Sequence, residues 1–189
     1  MENMPFPFSS FRFLSRGISI LLLFFLVCAA SPPKDSSDLP NFDALNEWLY
    51  RGAQPTGQGL RELKAKGIRT VVNFRDEPQW IEWEAKEVKA LGMNYVSLPW
   101  SVWKPVRPEL LDQFFKALDN AENRPVFFHC HHGRDRTGVM ATLALMRYQN
   151  LSEKEARNQA LGKIRPHLRY RYFVNQKINF FLKEKASES

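Results

Sequence analysis

The chain has 189 residues, 44% of them hydrophobic and 25% charged, with a formal net charge of +7; that is enough for one buried core and little more. The positive excess points to an anionic partner, and with no long basic tract, nucleic-acid motif or internal repeat that partner is not expected to be nucleic acid. Of the two cysteines, Cys28 and Cys130, only the second lies beyond the N-terminal apolar run, so no internal disulfide is expected in the processed chain.

Arg12 and Arg16 precede an apolar run from Ile18 to Ala30, and Ser31-Pro32-Pro33 follows it. A positive flank, a short apolar core and small residues at its end have the form of a secretory signal cleaved after Ala29 or Ala30. The run falls short of the roughly 20 residues that span a bilayer. No membrane span is therefore expected after cleavage, and the protein is expected to be exported, periplasmic or secreted. Cys28 leaves a lipid anchor open, against which stands Phe25-Leu26-Val27, with no small residue where a lipidated cysteine usually has one. Residues 1–30 are read as signal peptide, 31–44 as a polar extension, and 45–186 as the domain that carries the chemistry.

Trp48 to Gln54 reads as the first strand, and Gly59 to Lys66 as a short helix closed by Gly67. Ile68 to Phe74 follows as a buried strand. Trp80, Trp83, Val88 and Leu91 fall at helical spacing among charges and predict an amphipathic helix ending at Gly92. Met93 to Leu98 is the next strand. Pro108 suits a first helical position, and Leu110, Leu111, Phe114, Phe115 and Leu118 make an apolar stripe down to Ala121. Pro125 leads into the strand Val126 to His129, which delivers Cys130. Helices are predicted over Thr137 to Gln149, over Ser152 to Leu161 with Ser152 and Glu155 as a capping box, and over Tyr170 to about Lys185. Strands alternating with helices imply a single α/β domain whose mostly parallel sheet, of about four to five strands, is flanked by helices.

Ligands of such sheets collect at the carboxyl ends of the strands, and Cys130 stands at that end of the most apolar one. The loop after it suits an oxyanion. Its backbone N–H groups can curl around a phosphate, Gly133 permits a positive φ, and the helix that follows aims its positive end at the ligand. Arg136, six residues after Cys130, adds a planar fork for two phosphate oxygens. Such donors favour a thiolate nucleophile, and Thr137 can donate to its sulfur in the second step. His129, Cys130, His131 and His132 are adjacent and cannot all aim at one ion, so no metal site is expected. No cofactor is expected either. His129 is read as a strand residue orienting the loop, with His131 and His132 as donors on its rim.

His129-Cys130-x-x-Gly133-x-x-Arg136-Thr137-Gly138 resembles the signature of the cysteine-dependent protein tyrosine phosphatase superfamily, its compact dual-specificity branch in particular. Leu49 to Pro55 and Val71 to Glu77 are similar to early strands of bacterial and fungal atypical members, so the resemblance spans most of the domain. It implies that Cys130 is the nucleophile of a phosphocysteine, that Arg136 binds phosphate and stabilises the transition state, and that Thr137 assists hydrolysis. A rhodanese-type sulfurtransferase generally has a shorter loop, which Arg136 weighs against.

The general acid departs from that pattern. Most members supply an Asp from a loop before the central strand, whereas Leu98 to Pro105 holds no acid. Asp135 is the candidate, as in the similar loops of myotubularin-like, Sac-like and mycobacterial lipid-active phosphatases; its other reading is a brace accepting backbone N–H bonds. Glu109 and Asp112 are read as helix-dipole partners. Around the loop, His131, His132, Gly133 and Arg134 are expected to bind substrate. So are Lys163 and Arg165, from a run continuing through His167, Arg169 and Arg171 that reads equally as a solvated connector. These basic side chains suit an anionic phosphorylated substrate, and similar loops occur in phosphatase-like inositol polyphosphate hydrolases, which usually have Ala-Gly-x-Gly where this chain has His132-Gly133-Arg134-Asp135. A polyanionic inositol phosphate or phosphoinositide is the favoured substrate. The alternative is phosphotyrosine protein, and the remote alternative is a non-catalytic phospholigand-binding module.

Overall fold

Five strands and six helices run along residues 38–187, the residues that the computed structural model describes. In chain order they are β1 (Asp43–Ala44), β2 (Leu49–Gly52), α1 (Gly57–Ala65), β3 (Thr70–Asn73), α2 (Pro78–Ala90), β4 (Asn94–Ser97), α3 (Glu109–Asp119), β5 (Val126–His129), α4 (Asp135–Gln149), α5 (Glu153–Gly162) and α6 (Arg171–Ser187), with 3₁₀ turns at Ala121–Asn123 and Leu168–Tyr170. The expected leader, and Cys28 within it, lie outside the described residues. None of the described helices is long and apolar enough to cross a membrane.

The elements form one α/β domain. Its sheet has the order β1-β2-β5-β3-β4. Strands β2, β5, β3 and β4 are mutually parallel, and only β1 runs antiparallel, pairing Asp43 with Arg51. All four side chains of β5 are buried, as a central strand covered on both faces requires. The strand period of two splits them. Val126 and Phe128 join the core under α3, α4, α5 and α6, and Phe127 joins the smaller core under α1 and α2.

Local chemistry sets the helix ends. Thr56 caps α1 by accepting from the Gly59 N–H, and Pro78 opens α2. Ser152 and Glu155 form the expected capping box on α5, a contact worth about 1 kcal/mol. Helix α4 begins at Asp135, two residues before the predicted start, because Arg134 already closes a bond from the Gly138 N–H.

Residues 38–44 were expected to belong to a polar extension, yet Leu39 is buried, the Asp38 carbonyl accepts from the Thr56 N–H, and the Pro40 carbonyl accepts from the Ala53 N–H. Leu39 fills the core beside Leu60 and Leu63. Leu39 and Phe42, which packs on the same core, are too few to set a helix or strand period in the sequence.

Candidate active site

Cys130 follows directly on β5, where it is buried and unpaired. The residue before it is held from behind. His129 is fully buried, with Nδ1 donating to the Cys130 carbonyl at 3.2 Å and Nε2 at 3.0 Å from the Glu84 carboxylate. Glu84 also accepts from the Asn73 amide at 2.6 Å and the Gln54 amide at 2.7 Å. One buried carboxylate on α2 thus gathers β3, β5 and the segment after β2. Leaving such a carboxylate without its donors would cost several kcal/mol, so the base of the loop is rigid.

The loop is also clamped from its sides. The Gln54 N–H donates to the His131 carbonyl at 3.1 Å, and the Asn41 amide donates to the His132 carbonyl at 2.9 Å. Gly133 has φ +65°, and a Cβ there would lie 2.4 Å from the Gly52 carbonyl oxygen. Only glycine satisfies both conditions. The loop ends in α4, whose first turn has no side-chain cap, and uncapped N–H groups at a helix start suit an anion.

Arg136 is anchored along one edge. Its Nη1 donates to the carbonyls of Phe74 at 3.0 Å and Trp100 at 3.1 Å, and to Asp76 Oδ1 at 2.6 Å. These acceptors share the hydrogens of a single nitrogen. Nε and Nη2 keep no hydrogen bond within the described residues, and they form the edge that can take two phosphate oxygens.

Cys130, Asp135 and Arg136 line one cavity of about 520 Å³, together with Asp76, His131, His132, His167, Arg169 and the Trp103–Tyr170 pair. The imidazoles are packed together, with ring centroids 4.1 Å apart between His131 and His132 and 5.1 Å apart between His132 and His167. Burial, then the neighbouring imidazole, pushes the pKa values of His131 and His132 below the ordinary value. Burial pushes Asp135 upward, and this outweighs the hydrogen bond that its Oδ1 accepts from the His167 N–H at 3.0 Å. Asp135 therefore braces a loop, but that of residues 163–170 rather than its own.

Other expected site residues are placed elsewhere. Lys163 is exposed and pairs with Asp43, the carboxylate that also faces the buried Arg51 at 3.9 Å. Arg165 lines a separate cavity with Arg171 and Val174. Both miss the Cys130 cavity: after α5 the chain bends at Lys163–Ile164, and it is the residues around the following 3₁₀ turn, His167, Arg169 and Tyr170, that line the cavity instead. Arg134 lines a neighbouring hollow with Gln54, Arg75 and Trp80, reached across the His131–His132 stack. Thr137 is fully buried, and its hydroxyl has no hydrogen-bond partner among the described residues, so the expected bond to Cys130 is not made here. Asp76 escaped the sequence reading. It follows a strand whose end was legible, but only its 2.6 Å contact with Arg136 ties it to the site. Among the described residues, no group of three or more His, Cys, Asp or Glu is arranged to hold a metal.

A cysteine at the carboxyl end of the central parallel strand, a loop turned by a positive-φ glycine and an arginine fork are arranged as in cysteine-dependent phosphatases of the dual-specificity type. Residues 31–176 match the family model described as DSP-PTPase phosphatase fused to NAD+ kinase, and the chain belongs to that family. It is 31% identical over 106 residues to the dual specificity protein phosphatase TpbA of Pseudomonas aeruginosa, covering 54% of this chain and 45% of that protein. To the inositol diphosphatase DSP3 of Arabidopsis thaliana it is 23% identical over 107 residues, covering 53% and 51%. The chain thus spans about half the length of these relatives. Of a probable chloroplastic NAD kinase 2 from Oryza sativa, 27% identical over 150 residues and 77% of this chain, it spans 15%. The core catalytic domain of the PP-IP phosphatase Siw14 from S. cerevisiae shares the fold, with a TM-score of 0.60 at 18% identity over 79% of this chain and 93% of that one.

Proposed function

We propose that the protein hydrolyses phosphate esters through a phosphocysteine on Cys130, with a polyanionic inositol phosphate or phosphoinositide as its preferred substrate. The observation that carries this reading is the wall of the cavity. Beside the nucleophile stand the open edge of Arg136, the stacked imidazoles of His131 and His132 with His167 edge-on to them, and Arg169. A single phosphate needs only the first of these, whereas further phosphates on one ring have partners in the rest. The name of the relative DSP3 supports the same substrate class. Phosphotyrosine protein is the second reading, supported by the name of TpbA and by the aromatic Trp103–Tyr170 pair at the mouth, with ring centroids 4.6 Å apart.

In the proposed reaction, the Cys130 sulfur attacks phosphorus in line as the ester oxygen leaves. Arg136 and the loop N–H groups hold the three equatorial oxygens. Asp135, pushed upward by burial, donates the proton to the departing oxygen and takes one from the water that releases phosphate. Replacing Asp135 by asparagine is expected to slow a poor alkyl leaving group by about 10²-fold or more and p-nitrophenolate by only a few-fold. Steady-state rates on the two esters decide; equal slowing assigns Asp135 to bracing His167 alone.

A phosphate-release panel of inositol hexakisphosphate, phosphoinositides and phosphotyrosine peptides tests the substrate. The inositol compounds are expected to lead in kcat/KM, and their lead is expected to widen as pH falls below the ordinary imidazole range. The sign follows from linkage. A bound polyanion raises the pKa values of His131 and His132, which are low in the free protein, so binding takes up protons and tightens on acidification. A lead for the phosphotyrosine peptide at every pH establishes the second reading.

A further inference from the structure

Two segments contribute to the wall of the Cys130 cavity: residues 98–108, through Ser101, Val102 and Trp103, and the run leading into α6, through His167, Arg169 and Tyr170. Both are free of acid. From Ala156 to Lys183 the chain contains no Asp or Glu, while Lys163, Arg165, Arg169, Arg171 and Lys177 lie within that stretch; residues 98–108 hold Lys104 and Arg107 and likewise no acid.

The same segments carry the largest exposed apolar side chains beside the site. Leu168 is 79% exposed, Tyr172 66% and Trp103 53%. They are not scattered singly. Trp103 packs edge-on against Phe173 at 4.5 Å, and Phe173 against Tyr172 at 5.6 Å, while Leu168 lies between the cavity residues His167 and Arg169. The apolar cluster of Trp103, Phe173 and Tyr172, with exposed Leu168 close by in the chain, is flanked by cations, and the partly exposed Asp76 of the same cavity is already paired with Arg136; such a patch is an interaction surface, not an ordinary solvated face.

We propose that this patch docks the mouth of the cavity on an anionic lipid surface. Leu168, Tyr172 and Trp103 enter the boundary between headgroups and acyl chains, and Lys104, Arg169 and Arg171 meet the lipid phosphates. Aromatic and aliphatic tips interleaved with long cationic side chains suit that boundary, where one end of each side chain is apolar and the other wet. A soluble polyanion engages the cations but leaves the apolar tips in water. Docking goes beyond the substrate reading above and does not depend on it, since it concerns the rim and not the chemistry at Cys130.

Flotation of the full chain with phosphatidylcholine vesicles, with and without phosphatidylserine, tests it. Binding is expected with phosphatidylserine only, weakening as salt is raised. The double substitution Leu168→Ser with Tyr172→Ser is expected to lower vesicle affinity at least tenfold while leaving hydrolysis of p-nitrophenyl phosphate unchanged. Both side chains are exposed, so the variant keeps its fold. Absence of binding to the anionic vesicles overturns the proposal, and so does a double variant that binds as the parent does. A parallel fall in p-nitrophenyl phosphate turnover also overturns it, placing the patch in the substrate site. Retention on polyglutamate with the same dependence on Leu168 and Tyr172 overturns it in favour of an acidic protein partner.

Discussion

Cys130→Ser is expected to reduce phosphate release by at least about 10⁴-fold while leaving the affinity for inorganic phosphate within a few-fold. The two effects separate because the cradle and the nucleophile are built from different atoms. In the proposed site phosphate is held by loop N–H groups, the start of α4 and the free edge of Arg136, none of which changes when sulfur becomes oxygen. Turnover needs an ionised nucleophile, and a serine hydroxyl ionises far less readily than a thiol. His129, the adjacent imidazole, is committed to the Cys130 carbonyl and to Glu84 on the far side of the strand. Single-turnover phosphate release and calorimetric titration with inorganic phosphate make the comparison. A serine variant retaining more than about one hundredth of the activity removes Cys130 from the role of nucleophile.

The second large effect is expected at Arg136. Replacement by lysine should lower kcat/KM by about 10²- to 10³-fold, on the scale of losing a transition-state oxyanion donor. The reason is geometric. The guanidinium uses Nη1 to hold the Phe74 and Trp100 carbonyls and Asp76, and keeps Nε and Nη2 for the ligand. An ammonium is a single point of donation and cannot serve both edges. The accompanying loss of the Asp76 pair changes stability little, because Asp76 is more than one-third exposed and such pairs are worth about 0–1 kcal/mol. Thermal unfolding within a few degrees of the parent, with activity down a hundredfold, therefore locates the defect in the site. An equal loss on replacing Asp76 by asparagine would show that the anchoring contact, rather than the fork, carries the effect.

Much of the fold was legible because its signals are local. The Val126 to His129 run is uniformly apolar up to its last residue, as a strand covered on both faces must be. Ser152 and Glu155 stand at the spacing of a capping box, and the box forms. Predicted boundaries moved by a residue or two wherever hydrogen bonding rather than side-chain pattern ends an element, as at Asp135. The two-residue strand β1 left no period to read, and residues 38–44 joined the fold through backbone carbonyls that any sequence carries and through isolated side chains such as Leu39 and Asn41.

For the site, the sequence by itself determined the chemical core: a cysteine at a strand end, an arginine six residues on, a glycine between them and a family signature spanning all three. Those residues lie within seven consecutive positions spanning the loop and the first turn of α4, so their mutual geometry follows from covalent connection. Tertiary structure alone decided what surrounds that core. The alternating basic run after α5 offered Lys163 and Arg165 as readily as His167 and Arg169, and the path of the chain from α5 into the 3₁₀ turn set the second pair on the cavity. Asp76 meets Arg136 across 60 residues of chain, and Glu84 meets His129 across 45. Contacts between distant segments depend on sheet order and helix packing, which are properties of the whole core, and no local pattern of residues encodes them.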